Sequence, residues 1–588
     1  MKRFLLSVIA SLLIVSGIQA AKANSQPMTF TQPDGSKVTV VLHGDEHFHW
    51  YTTSDGVIIN YVNGAFYVAN IEADGTTYPT TQLVHDAELR TQKELSIIAQ
   101  QQKDQFKQAT DSRWNAPRRE PLDNRKYVVH QGHPKSIVVL AQYSDVKFTL
   151  PDPLKSFNQL FNSTEDQQEF DNGESRNHGS VRQYFNDMSH GAYQPEFTVV
   201  GPVTLPNTMS YYGNSPANSA SGEKTVEMVK DAAELAAGLL DLSLPEYDAN
   251  GDGKIDHIYV IYAGYGQNYG GPAESVWAKT NTLSATINGH QLTWYSVASE
   301  LNINEEYWKS RNLPPQINGI GVICHEFSHA MGLADTYPTV SEAHLNNQEM
   351  EFWDLMDGGE YVNNGYRPTA YNAWECEVME WSAIETLENS PQQLQLSPVL
   401  DEGKAYRFLN EESPNEYFVL ENIQKKGWNS SLPGHGLLVY HVKWPKATVS
   451  MNDHPNNTPG EPGMAVVPAD GILLSSYINS STEYFYSHQG DPFPGTSEVN
   501  SLTYAQQLPN YRWYSGQAEV KQTLSEITED AETGVITLNF LPGGTDAILK
   551  VADDNDAGDA AAFTLDGRRA GKNDKGIIVT SKKKYIRR

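Results

Sequence analysis

The sequence predicts a multidomain α+β protein, and three observations support this prediction. The chain has 588 residues, which is too long for a single compact core. Short runs of β-forming residues separated by Asx-Gly steps dominate its first part, and alternating strands return from about Leu396. Between them, a stretch from His325 to Gly332 carries histidines at helical spacing. We therefore expect an N-terminal β-rich region, a central α+β domain and a C-terminal β-sandwich-type domain.

Composition and charge exclude several classes of protein. The formal net charge is -29, which argues against a nucleic-acid binder, since such a protein needs a basic footprint. Only Cys324 and Cys376 are present, so a disulfide scaffold is excluded for most of the chain. The two cysteines could pair, but a buried free thiol at Cys324 is the favoured interpretation.

The N-terminus has the pattern of an export signal. Lys2 and Arg3 precede an apolar run from Phe4 to Ile18, and Ala21-Lys22-Ala23 offers a small-x-small cleavage site. A short membrane anchor is the alternative interpretation, although the run is too short to favour a span. We expect residues 1–23 to be a signal peptide, with no transmembrane segment after its removal and a secreted or cell-surface protein as the product.

The elements that follow divide the rest of the chain. Residues 24–126 begin with short strands and hairpins and continue into a polar helix from about Glu88 to Ala109. The segment Pro117-Arg118-Arg119-Glu120-Pro121 then reads equally well as a solvated linker or as a processing site. Residues 127–392 form the predicted central domain, residues 393–545 the C-terminal β-domain, and residues 546–588 a linker and tail.

The central domain carries a candidate metal site. His325 and His329 are four residues apart and project from one face of a helix, so both imidazoles can bind one zinc ion. Glu326 lies next to the first histidine and is the candidate general base for a metal-activated water. The alternative is a pair of structural histidines on a polar helix face.

The residues that follow predict a third metal ligand and a methionine turn that packs beneath the metal. Gly332 can adopt positive φ and end the helix sharply, which lets Asp335 return to the metal. His344 is an alternative residue for completing the site. Met356, in Trp353-Asp354-Leu355-Met356-Asp357-Gly358-Gly359, is the candidate for a methionine turn beneath the metal.

A second candidate metal site is a loop rich in side-chain oxygens. Its predicted calcium ligands lie at alternate positions: Asp248, Asn250, Asp252, Lys254 and Asp256. Lys254 would bind through its backbone carbonyl and the others through their side chains. Tyr259 occupies the twelfth position where a regular EF-hand has glutamate. Any calcium here would be structural, and a turn held by local hydrogen bonds is the alternative.

These motifs resemble the immune inhibitor A-like family of secreted bacterial metallopeptidases, within the metzincin clan. The resemblance rests on the segment from His325 to Asp335 and on the turn around Met356, with further likeness from about residue 28 to residue 540. It implies a metzincin-like zinc peptidase domain that follows a pro-region, so that the chain would be made as a zymogen. It also implies zinc ligands at His325, His329 and Asp335 with Glu326 as base.

The tail resembles a terminal sorting segment of Bacteroidetes-type secretion systems. The likeness lies in Phe563 to Arg569 and in Lys575 to Val579. It implies contact with secretion machinery, whereas a basic disordered tail with one hairpin is the alternative.

The predicted function is therefore a secreted zinc-dependent endopeptidase acting on protein or peptide substrates. The leading alternative is a cell-surface binding protein with a vestigial metal site, and a zinc hydrolase of non-peptide substrates is a weaker one. A complete ligand set together with Glu326 argues against a vestigial site, since decay would not preserve the base.

Overall fold

The computed structural model describes the chain from Met28 onward, with gaps. The described residues are 28–44, 49–62, 65–72, 77–103, 106, 122–123, 126–164, 177–213, 223–240, 244–272, 274–340, 342–343, 349–402, 404–444, 446, 448–474, 484–543, 563–564, 576–579 and 584–587. The predicted signal peptide, the Pro117–Pro121 segment and the predicted linker after residue 546 lie outside them. The chain divides into two compact units, Met1–Ala116 and Pro117–Arg588.

The first unit contains a six-stranded sheet in which every strand pairs with the next one along the chain. All five pairings are antiparallel, as the Asx-Gly steps predict. The strands are Met28–Thr31, Lys37–Gly44, His49–Thr53, Ile58–Val62, Ala65–Ile71 and Thr77–Leu83. Val38, Val40, Ile59 and Val68 form the core on one face of this sheet.

The polar helix of this unit is shorter than predicted. It spans Gln92–Ile98, after a 3-10 turn at Ala87–Leu89, and Thr91 caps its first turn. Beyond the helix, the Gln101 amide donates to the carbonyls of Ile58 and Ala69 and ties the chain to the sheet. Lys103 and Phe106 are helical again, so the predicted helix is interrupted around Gln101, where the chain makes tertiary contacts that the local sequence does not show.

The second unit is built on a five-stranded mixed sheet. In spatial order its strands are Lys279–Ile287, His290–Leu301, Ile255–Tyr265, Lys135–Gln142 and Glu196–Thr204. The first pair is antiparallel and the other three pairs are parallel. The strand Ile255–Tyr265 is buried except at its last residue, as expected for a strand covered on both faces.

Helices cover both faces of this sheet. Val138 and Ile261 pack in the same core as Phe327 of the helix Ile320–Met331. Val139 and Val260, which point the other way, pack with Met228 of the opposite helix. The α-helices of the unit are Pro153–Asn162, Val181–Met188, Met209–Gly213, Thr225–Ala236, Leu244–Tyr247, Glu305–Ser310, Ile320–Met331, Ala373–Val378, Val399–Glu402 and Tyr484–Ser487. Short 3-10 turns occur at Ala237–Leu239, Gln267–Tyr269, Glu351–Trp353, Gly358–Gly365, Gly427–Ser431, His488–Gly490 and Tyr504–Gln506.

Two further sheets follow the central domain. One has the order Ile384–Thr386, Ala405–Asn410, Ser413–Ile423, Gly436–Lys443 and Met464–Val466, and the other has the order Gln392–Leu396, Ile536–Leu541 and Thr523–Glu529. Phe418 of the first sheet and Leu538 of the second belong to one hydrophobic core. On the opposite face of the first sheet, Val419 and Tyr440 join the core that contains the helix Ile320–Met331. The first of these two sheets therefore shares a hydrophobic core with the helix that carries the candidate site.

The last described strands form a small antiparallel sheet of their own. They are Phe563–Thr564, Gly576–Val579 and Lys584–Arg587. In the part of the chain that the structure describes, no helix is both long and apolar enough to cross a membrane.

Candidate active site

The helix Ile320–Met331 places the two predicted histidines side by side. It is buried along its whole length, because it lies between the mixed sheet and the core behind it. At its start, the amide of Ile320 donates to the Asn177 side chain, and a Cβ at Gly321 would lie 1.9 Å from the Glu360 carbonyl oxygen. The helix is thus held close to the segment around Glu360. The imidazole rings of His325 and His329 lie 4.7 Å apart, centroid to centroid, at 83° to each other.

Backbone carbonyls hold both imidazoles in one orientation. Nδ1 of His325 lies 3.0 Å from the carbonyl oxygen of Leu355, and Nδ1 of His329 lies 2.8 Å from that of Leu333. A carbonyl can only accept, so each Nδ1 carries the proton and each Nε2 is left as an electron-pair donor. The two Nε2 atoms lie 3.3 Å and 3.2 Å from Oδ1 of Asp335.

Gly332 produces the turn that brings Asp335 back to the histidines. Its φ is 112°, and its amide donates to the carbonyls of His329 and Ser328 as the helix ends. A Cβ at this position would lie 2.8 Å from Cδ2 of Leu122 and 3.0 Å from Cδ2 of Tyr127. Both the backbone conformation and the packing therefore require glycine here.

The three side chains fit a divalent metal. Ligand atoms of His325, His329 and Asp335 all lie within 4.8 Å of one another. Oδ1 of Asp335 is buried without a hydrogen-bond partner, although the Nε2 atoms of both imidazoles lie within 3.3 Å of it. A cation between the three atoms would satisfy all of them, and two imidazoles with one carboxylate are an accepted zinc donor set.

Glu326 lies beside this group and is also buried. It is 6% exposed, and its Oε2 has no hydrogen-bond partner. Burial raises the pKa of Glu326, an effect that the neighbouring imidazoles of His325 and His329 oppose. An elevated pKa suits a carboxylate that takes and returns a proton.

The turn around Met356 closes the site on the side of Asp335. Met356 is 1% exposed, and its carbonyl accepts a hydrogen bond from the amide of Thr336, the residue after Asp335. A Cβ at Gly359 would lie 2.2 Å from the carbonyl oxygen of Asp354, so the turn can close only around glycine. The predicted turn thus lies directly against the segment that carries the third candidate ligand.

Part of the chain that contains the candidate site is similar to known proteins. Residues 135–383 match the family model of the immune inhibitor A peptidase M6 catalytic domain. These residues, called the M6 domain below, are similar to the M6 peptidases. The resemblance stated from the motifs is confirmed, and the M6 domain contains both histidines, Asp335 and the turn around Met356.

Two curated relatives of the chain are similar at modest identity. Immune inhibitor A of Bacillus thuringiensis subsp. alesti is 28% identical over 230 residues, covering 34% of this chain and 32% of that protein. Pre-pro-metalloprotease PrtV of Vibrio cholerae serotype O1 (strain M66-2) is 25% identical over 264 residues, covering 40% of this chain and 28% of that protein. The matched part therefore spans about a third of these relatives or less. Similarity to metallopeptidases implies a metal in the M6 domain.

Several groups at the site have no sequence signal that would have found them. The carbonyls of Leu333 and Leu355 orient the imidazoles, but any residue could supply a carbonyl. Glu360 is buried, with one carboxylate oxygen 3.7 Å from Nδ1 of His325, and burial raises its pKa to about 7. Burial and the charge of Asp335 raise the pKa of Tyr337, the second residue after Asp335. His344, the alternative ligand, lies outside the described residues.

The acidic loop of the M6 domain brings three carboxylates together. Ligand atoms of Asp248, Asp252 and Asp256 lie within 4.8 Å of one another. The loop also forms local hydrogen bonds, including those from the amide of Asp252 to Asp248 at 2.9 Å and to Asn250 at 3.0 Å. Burial raises the pKa of Asp256 to about 7. Lys254 uses its ammonium group to pair with Asp252 at 2.9 Å. The arrangement is compatible with a cation and with a plain Asx turn.

Cys324 and Cys376 are free thiols in this structure, and both are buried. Burial raises the pKa of each thiol well above its ordinary value. Of the two interpretations left open by the sequence, the structure shows the unpaired one. Two protonated, inaccessible thiols behave as small apolar side chains.

Proposed function

We propose that this chain is a secreted zinc-dependent endopeptidase that hydrolyses peptide bonds of extracellular proteins. The observation that carries the proposal is the convergence of the Nε2 atoms of His325 and His329 on the unpaired Oδ1 of Asp335. The similarity of residues 135–383 to the M6 peptidases supports the reaction class. When bound, zinc supplies a Lewis acid that polarises a carbonyl group and lowers the pKa of water.

The side chains around the metal position have distinct roles in this proposal. His325 and His329 each present a neutral nitrogen, because their Nδ1 protons are engaged by carbonyls. Asp335 contributes the only charge among the three ligands, so the site keeps a net positive charge when a divalent ion is bound. That charge favours the ionised form of Glu326.

Glu326 is the proposed general base and then the general acid. Its Oε2 is free to accept a proton from the attacking water, and the same carboxyl then delivers this proton to the leaving amine nitrogen. Because Glu326 is buried, bulk water does not compete for this proton.

Further parts of the proposal rest on sequence. The pattern of residues 1–23 supports export, and the tail from residue 563 supports contact with secretion machinery. We further propose that the M6 domain has a metzincin-type fold, that residues 24–126 are a pro-region with its linker, and that residues 393–545 form a β-sandwich. The acidic loop is proposed to hold a structural calcium ion, supported by its three adjacent carboxylates.

The decisive experiment separates metal binding from proton transfer. The wild type, Glu326→Gln and His329→Ala are each freed of the proposed pro-region. Their zinc content and their clearing of protein embedded in a gel are then compared. Glu326→Gln should keep its zinc and lose about 10²–10⁴-fold in rate, since only the proton acceptor is removed. His329→Ala should lose zinc and activity together.

His435→Ala is the matched control. His435 pairs with Glu529 on the surface of the later sheets, so its loss should change neither quantity. If the wild type binds zinc but clears no protein, the binding-protein hypothesis is favoured. If Glu326→Gln clears protein as fast as the wild type, the assigned base is wrong.

A further inference from the structure

The carboxylate of Asp354 joins two segments that each support a proposed metal ligand. Asp354 lies two residues before Met356 and is completely buried. Its Oδ1 accepts a hydrogen bond from the amide of Met356 at 2.7 Å, and its Oδ2 accepts one from the hydroxyl of Thr336 at 3.1 Å. One side chain therefore fixes both the turn and the segment packed against it.

The first of these segments carries Asp335. Thr336 follows Asp335 directly and is held twice, since its hydroxyl donates to Asp354 and its amide donates to the carbonyl of Met356 at 3.0 Å. Loss of either bond would leave the backbone next to Asp335 freer to move. A small displacement matters here, because Oδ1 of Asp335 must lie close to both imidazoles.

The second segment orients His325. Leu355 lies between Asp354 and Met356, and its carbonyl accepts the Nδ1 proton of His325 at 3.0 Å. The bond from Met356 to Asp354 closes the chain around Leu355 and so sets the direction of that carbonyl. The carboxylate of Asp354 thereby also orients His325, through the Leu355 carbonyl.

Glu375 supports Asp354 from behind. It is completely buried in the helix Ala373–Val378, and its Oε2 accepts from the amide of Asn372 at 2.8 Å. Burial and the neighbouring charge of Asp354 raise the pKa of Glu375 well above its ordinary value. Burial also raises the pKa of Asp354, an effect that Glu375 and the hydrogen bonds from Met356 and Thr336 oppose.

We propose that Asp354 is a positioning residue of the metal site, which fixes Asp335 through Thr336 and His325 through the Leu355 carbonyl. The proposal rests on the zinc site described under the proposed function. Asp354 itself is not one of the proposed metal ligands. Groups that orient metal ligands from outside typically change metal affinity by about 10–100-fold when they are removed.

The test measures how fast a coloured chelator removes zinc from the purified full chain, together with the melting temperature. Asp354→Ala should release zinc about 10–100-fold faster than the wild type. Thr336→Val removes only the hydroxyl and keeps the amide bond to Met356, so we expect a smaller acceleration in a folded protein. Thr336→Ser restores the hydroxyl and should return release to near the wild-type rate.

Thr369→Val provides the matched control. Thr369 is also a buried threonine whose hydroxyl donates to a nearby carbonyl, that of Phe352 at 2.7 Å. Its amide donates to the carbonyl of Gly359 at the end of the turn, but its hydroxyl bonds to neither Asp354 nor Thr336, so its loss leaves both bonds of Asp354 in place. It should lose a similar amount of stability while releasing zinc at the wild-type rate. The proposal is overturned if Thr336→Val and Thr369→Val release zinc equally fast, or if Asp354→Ala changes the melting temperature alone.

The outcomes also separate this proposal from the proposed function. If the variants release zinc faster but the wild type cleaves no protein, the role of Asp354 is supported and the proposed peptidase function is refuted. A wild type that binds no zinc would overturn both.

Discussion

Replacement of Gly332 by alanine tests the mechanism by which the chain turns from the helix to Asp335. The residue has a φ of 112°, in a region that alanine adopts only under strain, which costs about 1–2 kcal/mol. The added methyl group would also lie 2.8 Å from Cδ2 of Leu122 and 3.0 Å from Cδ2 of Tyr127. Overpacking of this kind adds about 1–3 kcal/mol. The expected total destabilisation is thus about 2–5 kcal/mol.

Gly289→Ala separates the two contributions. Gly289 has a φ of 84° in the hairpin between two strands of the mixed sheet, and no heavy atom lies within 4 Å of the position of its Cβ. This variant should show the backbone cost alone, about 1–2 kcal/mol. The difference between the two variants then measures packing against Leu122 and Tyr127.

The assay is differential scanning calorimetry with zinc content measured on the same samples. Gly332→Ala should melt below Gly289→Ala and should hold less zinc, because Gly332 also sets the position of the Leu333 carbonyl that orients His329. Gly289→Ala should keep its full zinc content. Equal melting temperatures and equal zinc contents for the two variants would refute the reasoning.

Three other predictions concern groups that are not proposed zinc ligands. Asp252→Asn should lower the melting temperature when calcium is present but not when it is absent, and an unchanged value in calcium would reduce the acidic loop to a plain turn. Burial and the charges of Asp357 and Glu351 raise the pKa of Glu349 from 4.5 to about 11, so the folded carboxyl stays protonated where the unfolded one ionises, and stability falls as pH rises from 4.5 toward 11. Glu349→Gln should therefore have a higher melting temperature than the wild type at about pH 8 and the same melting temperature at about pH 4. A lower melting temperature for the variant at about pH 8 would contradict the predicted direction of the pH dependence. Thiol titration without reductant should find no reactive thiol in the native protein and two in urea, and a crosslinked chain on a non-reducing gel would disagree with the free cysteines.

Much of the geometry of the candidate site is predicted by the local sequence pattern. The four-residue spacing of His325 and His329 places them on one helix face in any context, because the helical repeat is a backbone property. Gly332 indicates a sharp helix end for the same kind of reason, since few other residues adopt positive φ. The helix of the first unit shows the opposite case. Its polar sequence favours one long helix, but the first segment ends at Ile98, Gln101 bonds to the sheet, and helical residues return at Lys103.

By itself, the sequence determined the kind of chemistry this protein can support: two imidazoles, one carboxylate ligand and a base within eleven residues, from His325 to Asp335. These residues are close in the chain, and short-range geometry suffices to place them. Only the tertiary structure decided what holds them. The carbonyl of Leu355 and the carboxylates of Asp354 and Glu375 come from 19 or more residues beyond Asp335 in the chain. Contacts of that range depend on how helices and sheets pack, and no local pattern encodes them.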